Sequence, residues 1–154
     1  MTDSEYDGLT LLKKGAGSYE ELEGPSGLET FPNKYPKRDY LVRFDCPEFT
    51  SVCPITGQPD FARITITYIP DAKCIESKSL KMYLFAFRNK GMFHEEITNK
   101  ILEDVVVACE PRWARVLGKM NPRGGISIDV TADYTKPGFK APGIVGLEEQ
   151  ATTP

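Results

Sequence analysis

An α+β fold is predicted for this 154-residue chain by three observations. Apolar residues alternate with polar ones over Phe61–Ile69. They recur at three and four over Leu80–Phe87 and again over Ile97–Cys109. They alternate once more beyond Pro111. A period of two marks half-buried strands, and a period near 3.6 marks amphipathic helices. The order strand, strand, helix, helix, strand, strand predicts an antiparallel four-stranded sheet. Two antiparallel helices, inserted between strands 2 and 3, pack on one face of it.

Each element has its own grounds. Asp39 to Phe44 reads as a strand with Tyr40, Val42 and Phe44 on one face. Phe61 to Ile69 alternates more regularly, with Ala62, Ile64, Ile66 and Tyr68 facing one way and Arg63, Thr65 and Thr67 the other. Leu80, Tyr83, Leu84 and Phe87 make Lys78–Arg88 a short helix with Ser77 as its N-cap. Asn89-Lys90-Gly91 breaks it. A longer helix carries Ile97, Ile101, Val105 and Cys109 on its inner stripe and stops before Pro111. Trp113–Leu117 and Ile126–Val130 are the closing strands, separated by Asn121-Pro122-Arg123-Gly124-Gly125. Residues 1–38, rich in Gly, Pro and acids, read as a flexible acidic arm. Residues 39–134 then form the domain, and 135–154 a tail.

Composition narrows the function. Hydrophobic residues at 40% and charged residues at 27% suit a soluble globular protein. No apolar run approaches a membrane span, and the acidic start lacks a secretory pattern, so a cytoplasmic protein with no membrane partner is expected. The segment 31–147 holds 17 bases and 13 acids inside a chain of net charge −3. That mildly basic middle fits an anionic small molecule, although a solvated surface has the same composition. A pI of about 5.3 argues against direct nucleic-acid binding. Four cysteines and one histidine form no zinc pattern, so no metal is expected. A four-stranded sheet leaves open edges for neighbouring copies to cover, which predicts a homo-oligomer.

The chemistry concentrates in Phe49–Phe61. This stretch of turn formers holds Cys53 and, seven residues on, Asp60. A loop thiol whose thiolate is favoured is a nucleophile, and a carboxyl folded back beside it is an acid or base. The plainer reading is an unreactive loop cysteine and an aspartate that bonds turn amides. Ser77 and Lys78 open the first helix, where free amides and the helix dipole favour a phosphate, and Lys81 follows one turn later. No GxGxxG motif is present, which excludes a Rossmann cofactor site. Cys109 reads as core; Cys46 and Cys74 have no evident task.

The segments FTSVCPITGQPDFA, IESKSLKMYLFAFRNKGMFHEEITNKI and NPRGGI resemble, in that order, the NADPH-dependent 7-cyano-7-deazaguanine reductase family of queuosine biosynthesis. The likeness runs from about Tyr40 to Ile128. It implies a tunnelling fold (T-fold), whose subunits assemble into barrels with sites at subunit boundaries. It also implies that Cys53 adds to the nitrile carbon to form a thioimide and that Asp60 donates the proton. Ile75, Glu76, Ser77, His94 and Glu95 then bind the substrate, 7-cyano-7-deazaguanine. Ser77, Lys78, Lys81, Arg123 and Gly124 hold NADPH. The competing classes are another enzyme of the same fold acting on pterins or purines, and a non-enzymatic purine-binding oligomer with Cys53 as a redox sensor. Oxidation of NADPH with and without the nitrile separates all three.

Overall fold

The computed structural model describes residues 27–143; the expectations for residues 1–26 and 144–154 lie outside them. The described chain runs β1 (Thr30–Pro32), β2 (Val42–Val52), β3 (Pro59–Ile69), β4 (Lys73–Ile75), α1 (Ser77–Phe85), α2 (His94–Cys109), β5 (Trp113–Arg123) and β6 (Ile126–Thr135). The larger sheet has the order β2-β3-β5-β6 and is antiparallel throughout. The helices lie between its two central strands in sequence, in keeping with the α+β reading.

The even-numbered row of β3 builds the core. Ala62, Ile64, Ile66 and Tyr68 are buried, and they share one apolar cluster with Ile97, Ile101 and Val105 of α2, Val116 and Met120 of β5, and Leu80 and Tyr83 of α1. The 3.6-period stripe of α2 and the 2-period row of β3 therefore meet face to face. Tyr83 Oη donates to Asp104 Oδ2 at 2.5 Å, a buried tie between the helices. The other sheet face carries ion pairs, Arg63 with Asp45 and Arg115 with Asp133.

Several boundaries differ from the sequence reading. β2 begins at Val42 rather than Asp39 and continues to Val52 through a polar stretch. That stretch is held as strand by pairing with β3, and a bulge between Cys46 and Phe49 takes up Pro47, which has no N–H for the ladder. The β2–β3 connection consequently shrinks to Cys53–Gln58, and Asp60 stands on a strand rather than in a loop. β5 and β6 extend to Arg123 and Thr135. They are joined by Gly124 and Gly125, both at positive φ.

Two short strands escaped the sequence reading. β1 pairs with β4, with Thr30 opposite Ile75, so part of the arm expected to be flexible forms a second, two-stranded sheet. Three residues are too few to show alternation. The first helix ends at Phe85, not Arg88. Its N-cap is Glu76, not Ser77: the Glu76 carboxylate accepts from Lys78 N and Ser79 N, both at 2.8 Å. Serine is the commoner cap by residue type, but the longer glutamate side chain reaches the same amides from one position earlier.

Candidate active site

Asp60 is the next member of the helix-facing row that continues Ala62, Ile64 and Ile66, which is why it is buried, at 5% exposure. Two basic side chains approach it. Arg123 Nη1, from the end of β5, lies 2.8 Å from Oδ1, and His94 Nε2, at the start of α2, lies 3.5 Å from Oδ2. Oδ1 is buried and makes no hydrogen bond; its close neighbour is the ion-paired Arg123 guanidinium.

Cys53 begins the tight turn that joins β2 to β3. Its N–H donates to Gln58 O at 2.8 Å, and its carbonyl accepts from Gly57 N at 2.9 Å. Gly57 sits at φ +69°, a conformation that other residues seldom adopt. The thiol is half-exposed and its pKa is lowered to about 7. The Thr56 hydroxyl contributes most, followed by the amides of Thr56 and Ile55, and Arg123 adds to them. Burial pushes the Cys46 thiol up to about 11 and the Cys109 thiol up to about 12. All four cysteines are free.

The entry to α2 is tied to this turn. Val52 N donates to Lys90 O at 3.1 Å and Met92 N donates to Val52 O at 3.3 Å, a parallel bridge that delivers His94 to Asp60. Cys53, Asp60, His94 and Arg123 are thus gathered at one end of the β2–β3 hairpin. Glu95 is exposed beside them in the first turn of α2. Its side chain makes no hydrogen bond or ion pair to another described residue, which leaves both oxygens open to a ligand.

Ile75, Glu76 and Ser77 lie elsewhere. Ile75 N donates to Tyr68 Oη at 2.9 Å, so this segment sits beside the opposite end of β3. Asp60 and Tyr68 are about 26 Å apart at the rise of an extended strand. One chain therefore does not bring Glu76 to Cys53. The Ile75 side chain is buried, and both Glu76 oxygens are engaged as the helix cap.

The two amides expected to be free for a phosphate at the start of α1 are thus already bonded to a carboxylate. Cations remain on the outer side: Lys78 and Lys81 are exposed. Ser77 and Lys81 line a groove of about 400 Å³ walled by Phe44, Phe49, Leu84 and Phe85. Arg123 and Gly124 lie with Cys53, not with these lysines.

Thr56 and Gln58 were missed as site residues in the sequence reading. Gln58 Oε1 accepts from Arg123 Nη2 at 3.0 Å. The available signal was a hydroxyl three residues after the candidate nucleophile inside a run of turn formers.

One hairpin thus carries a lowered-pKa thiol and a buried carboxyl, faced by an imidazole and a guanidinium. The chain belongs to the QueF-like protein family, whose model matches residues 59–138. Proteins called NADPH-dependent 7-cyano-7-deazaguanine reductase are close in sequence. That of Syntrophus aciditrophicus is 61% identical over 134 residues, covering 87% of this chain and 91% of the relative. That of Bacillus licheniformis is 57% identical over 138 residues, covering 90% and 84%. The solved structure of an archaeosine synthase QueF-Like in the apo form superposes with a TM-score of 0.59 at 28% identity. It covers 62% of this chain and 94% of that one.

Proposed function

We propose that this chain is an NADPH-dependent oxidoreductase that converts the nitrile of 7-cyano-7-deazaguanine to the 7-aminomethyl group through a thioimide on Cys53, in the route to queuosine in tRNA. The observation that carries the mechanism is the placement of an activated thiol in the turn of one hairpin and of a buried carboxyl at the start of its second strand.

The chemistry follows from those groups. The Cys53 thiolate adds to the nitrile carbon; a C–S bond forms and one C≡N π bond breaks. Its electron pair goes to nitrogen, which takes a proton from Asp60 in its carboxylic-acid form. His94, 3.5 Å from Oδ2, returns a proton to the carboxylate. NADPH, when bound, supplies two hydrides to the former nitrile carbon. Cys53 leaves as a thiolate before the second is received. Glu95 accepts from the paired N–H donors of the guanine-like edge, a match of one carboxylate to two donors.

The cofactor is assigned to Ser77, Lys78 and Lys81 along the α1 groove and to Arg123 and Gly124 at the other end of the sheet. The groove's apolar wall suits a ring and its lysines suit phosphate. Because these two sets, like Ile75-Glu76-Ser77 and Cys53, are separated within one chain, the complete site is assigned to the boundary between two copies. β2 and β6 are the open edges of the larger sheet, and Ile126 and Ile128 are exposed on β6. Edge pairing there builds the barrel of the tunnelling fold. No helix among the described residues is long and apolar enough to cross a membrane, and free, reactive thiols suit the reducing cytoplasm.

The test is to mix the protein with the nitrile in the absence of NADPH and measure intact mass. A gain equal to the substrate on Cys53, followed on adding NADPH by consumption of two equivalents per product, supports the reading. A mass gain on another cysteine, or NADPH consumption that ignores the nitrile, overturns it.

A further inference from the structure

Arg123 reaches Asp60 because β5 carries an extra residue near its end. Met120 pairs with Ile128 and Arg123 with Ile126, so three steps along β5 match two along β6. Side chains alternate faces along a strand, and strict alternation would send Arg123 to the face opposite Met120. The extra residue of the bulge returns it to the face of Met120, which Ala62 and Asp60 share across the β3–β5 pairing. Pro122, with no N–H for the ladder, lies within the bulge.

Burial does not keep the guanidinium in place, since the Arg123 side chain is 41% exposed. Two acceptors do. Nη1 lies 2.8 Å from Asp60 Oδ1, and Nη2 donates to Gln58 Oε1 at 3.0 Å. Arginine has only protons to give, so the Gln58 amide turns its oxygen, not its nitrogen, toward it. Gln58 is itself fixed to the turn by its backbone. Its carbonyl accepts from Cys53 N at 2.8 Å, and its N–H donates to Thr56 Oγ1 at 3.3 Å. Pro59, next in the chain, favours an extended backbone at Gln58.

We infer that Gln58 is a positioning residue for the acid: its side-chain oxygen holds the Arg123 fork on Asp60 Oδ1, which confines the acidic proton of Asp60 to Oδ2. A proton placed on Oδ1 would meet the protons of the guanidinium, which has no acceptor to receive it. Oδ2, with His94 Nε2 at 3.5 Å, is the oxygen that gives the proton up and takes it back. The carboxylate left behind already faces a fixed positive charge, so no group has to move as the proton departs. This rests on the reading of Asp60 as proton donor and gives a role to a residue of the turn that the resemblance leaves without one.

The experiment compares Gln58→Met, Arg123→Met and the double variant as full-length proteins. Methionine keeps the length of glutamine and both backbone groups of the turn but offers the guanidinium no amide oxygen. Without NADPH, adduct formation on Cys53 at saturating nitrile should slow about tenfold in Gln58→Met, the usual consequence of losing a hydrogen bond to a charged group. The half-saturating nitrile concentration should stay within about twofold, because positioning the acid acts on the chemical step. The double variant should be no slower than Arg123→Met alone, since the Gln58 side chain acts only through Arg123. Alkylation of Cys53 by iodoacetamide, which needs a thiolate but no acid, should stay within about threefold of the wild type.

A second measurement reads the tether without the nitrile. Modification of Arg123 by phenylglyoxal, mapped by peptide mass, should be several-fold faster in Gln58→Met. An unchanged adduct rate, a double variant slowed by the product of the two single losses, alkylation that falls in step with adduct formation, or unchanged phenylglyoxal reactivity overturns the role given to Gln58. If the nitrile never modifies wild-type Cys53 while phenylglyoxal reactivity rises as stated, the proposed reaction is wrong and Gln58 still fixes Arg123.

Discussion

Arg123 and Asp60 meet at 2.8 Å although they come from different ends of the chain, one closing β5 and the other opening β3. The same guanidinium donates to Gln58 in the Cys53 turn. A residue assigned to the cofactor on the strength of motif resemblance therefore also braces the proposed reacting pair. Its substitution should disturb chemistry and cofactor use together.

That overlap separates two variants. Lys78→Ala, on the exposed side of α1, should raise the KM for NADPH at least tenfold and leave formation of the Cys53 adduct untouched. Arg123→Ala should raise that KM and also slow adduct formation. Steady-state kinetics beside a no-cofactor mass assay check this. Equal effects of the two variants on both readouts would sink the assignment.

The nucleophile and the acid should separate cleanly. Cys53→Ala should give neither adduct nor turnover, and Cys53→Ser almost none, because a hydroxyl is scarcely ionised near neutral pH. Asp60→Asn should bind the nitrile but form adduct at least a hundredfold more slowly, within the usual range for losing a general acid. Cys46, Cys74 and Cys109 should each accept Ala with activity retained. Intact mass and peptide mapping decide.

Glu95 carries an open carboxylate, proposed to receive the substrate. Glu95→Gln puts an amide donor opposite a substrate donor, a buried mismatch of about 1–3 kcal/mol. Nitrile binding measured by titration calorimetry should weaken about 5- to 150-fold, with thermal stability unchanged because this side chain bonds no other described residue. Unchanged binding would return Glu95 to an ordinary helix-start carboxylate.

Gly118 on β5 fixes how closely α2 approaches the sheet. A Cβ there would stand 2.6 Å from Thr98 Oγ1 and 3.0 Å from Met120 Cε. Thr98 is fully buried, and its hydroxyl donates back to His94 O at 3.1 Å. Gly118→Ala should therefore cost about 1–3 kcal/mol in chemical denaturation. Adding Thr98→Ala should recover part of that cost, a coupling that a double-mutant cycle measures.

Acid should loosen the clamp on Asp71. Its carboxyl is held below the usual range by the Lys136 ammonium first and then by Arg112, 2.6 Å and 3.1 Å away. A depressed folded-state pKa means stabilisation present above the unfolded value of about 3.9 and lost as pH falls through the lower, folded value. Asp71→Asn should lower the melting temperature at pH 7 and make it less sensitive to acid than the wild type. Equal acid sensitivity of the two proteins would remove Asp71 from the account.

Much of this was legible in the sequence, for identifiable reasons. The helix-facing row of β3 is a strict alternation, and Asp60 is its next member; the α2 stripe runs from Ile97 to Cys109 without interruption. Burial on one face imposes those periods. What stayed hidden depended on partners distant in sequence. β1 exists because β4 is there to pair with it. Residues 45–52 hold as strand because β3 runs alongside and a bulge absorbs Pro47. The cap on α1 passed from Ser77 to Glu76 because side-chain reach, not residue type, decided which oxygen met the amides. The meeting of Arg123 with Asp60 has no local signature.

The span of β3 between Asp60 and Tyr68 has one more consequence. An extended strand clamped on both sides does not bend enough to bring its ends together, so a lone molecule that has folded perfectly still keeps its thiol apart from Ile75-Glu76-Ser77. On the proposed site shared between two copies, folding and competence become separate events, the second governed by concentration. Dilution alone would silence turnover while circular dichroism, melting temperature and thiol titre all reported an intact protein.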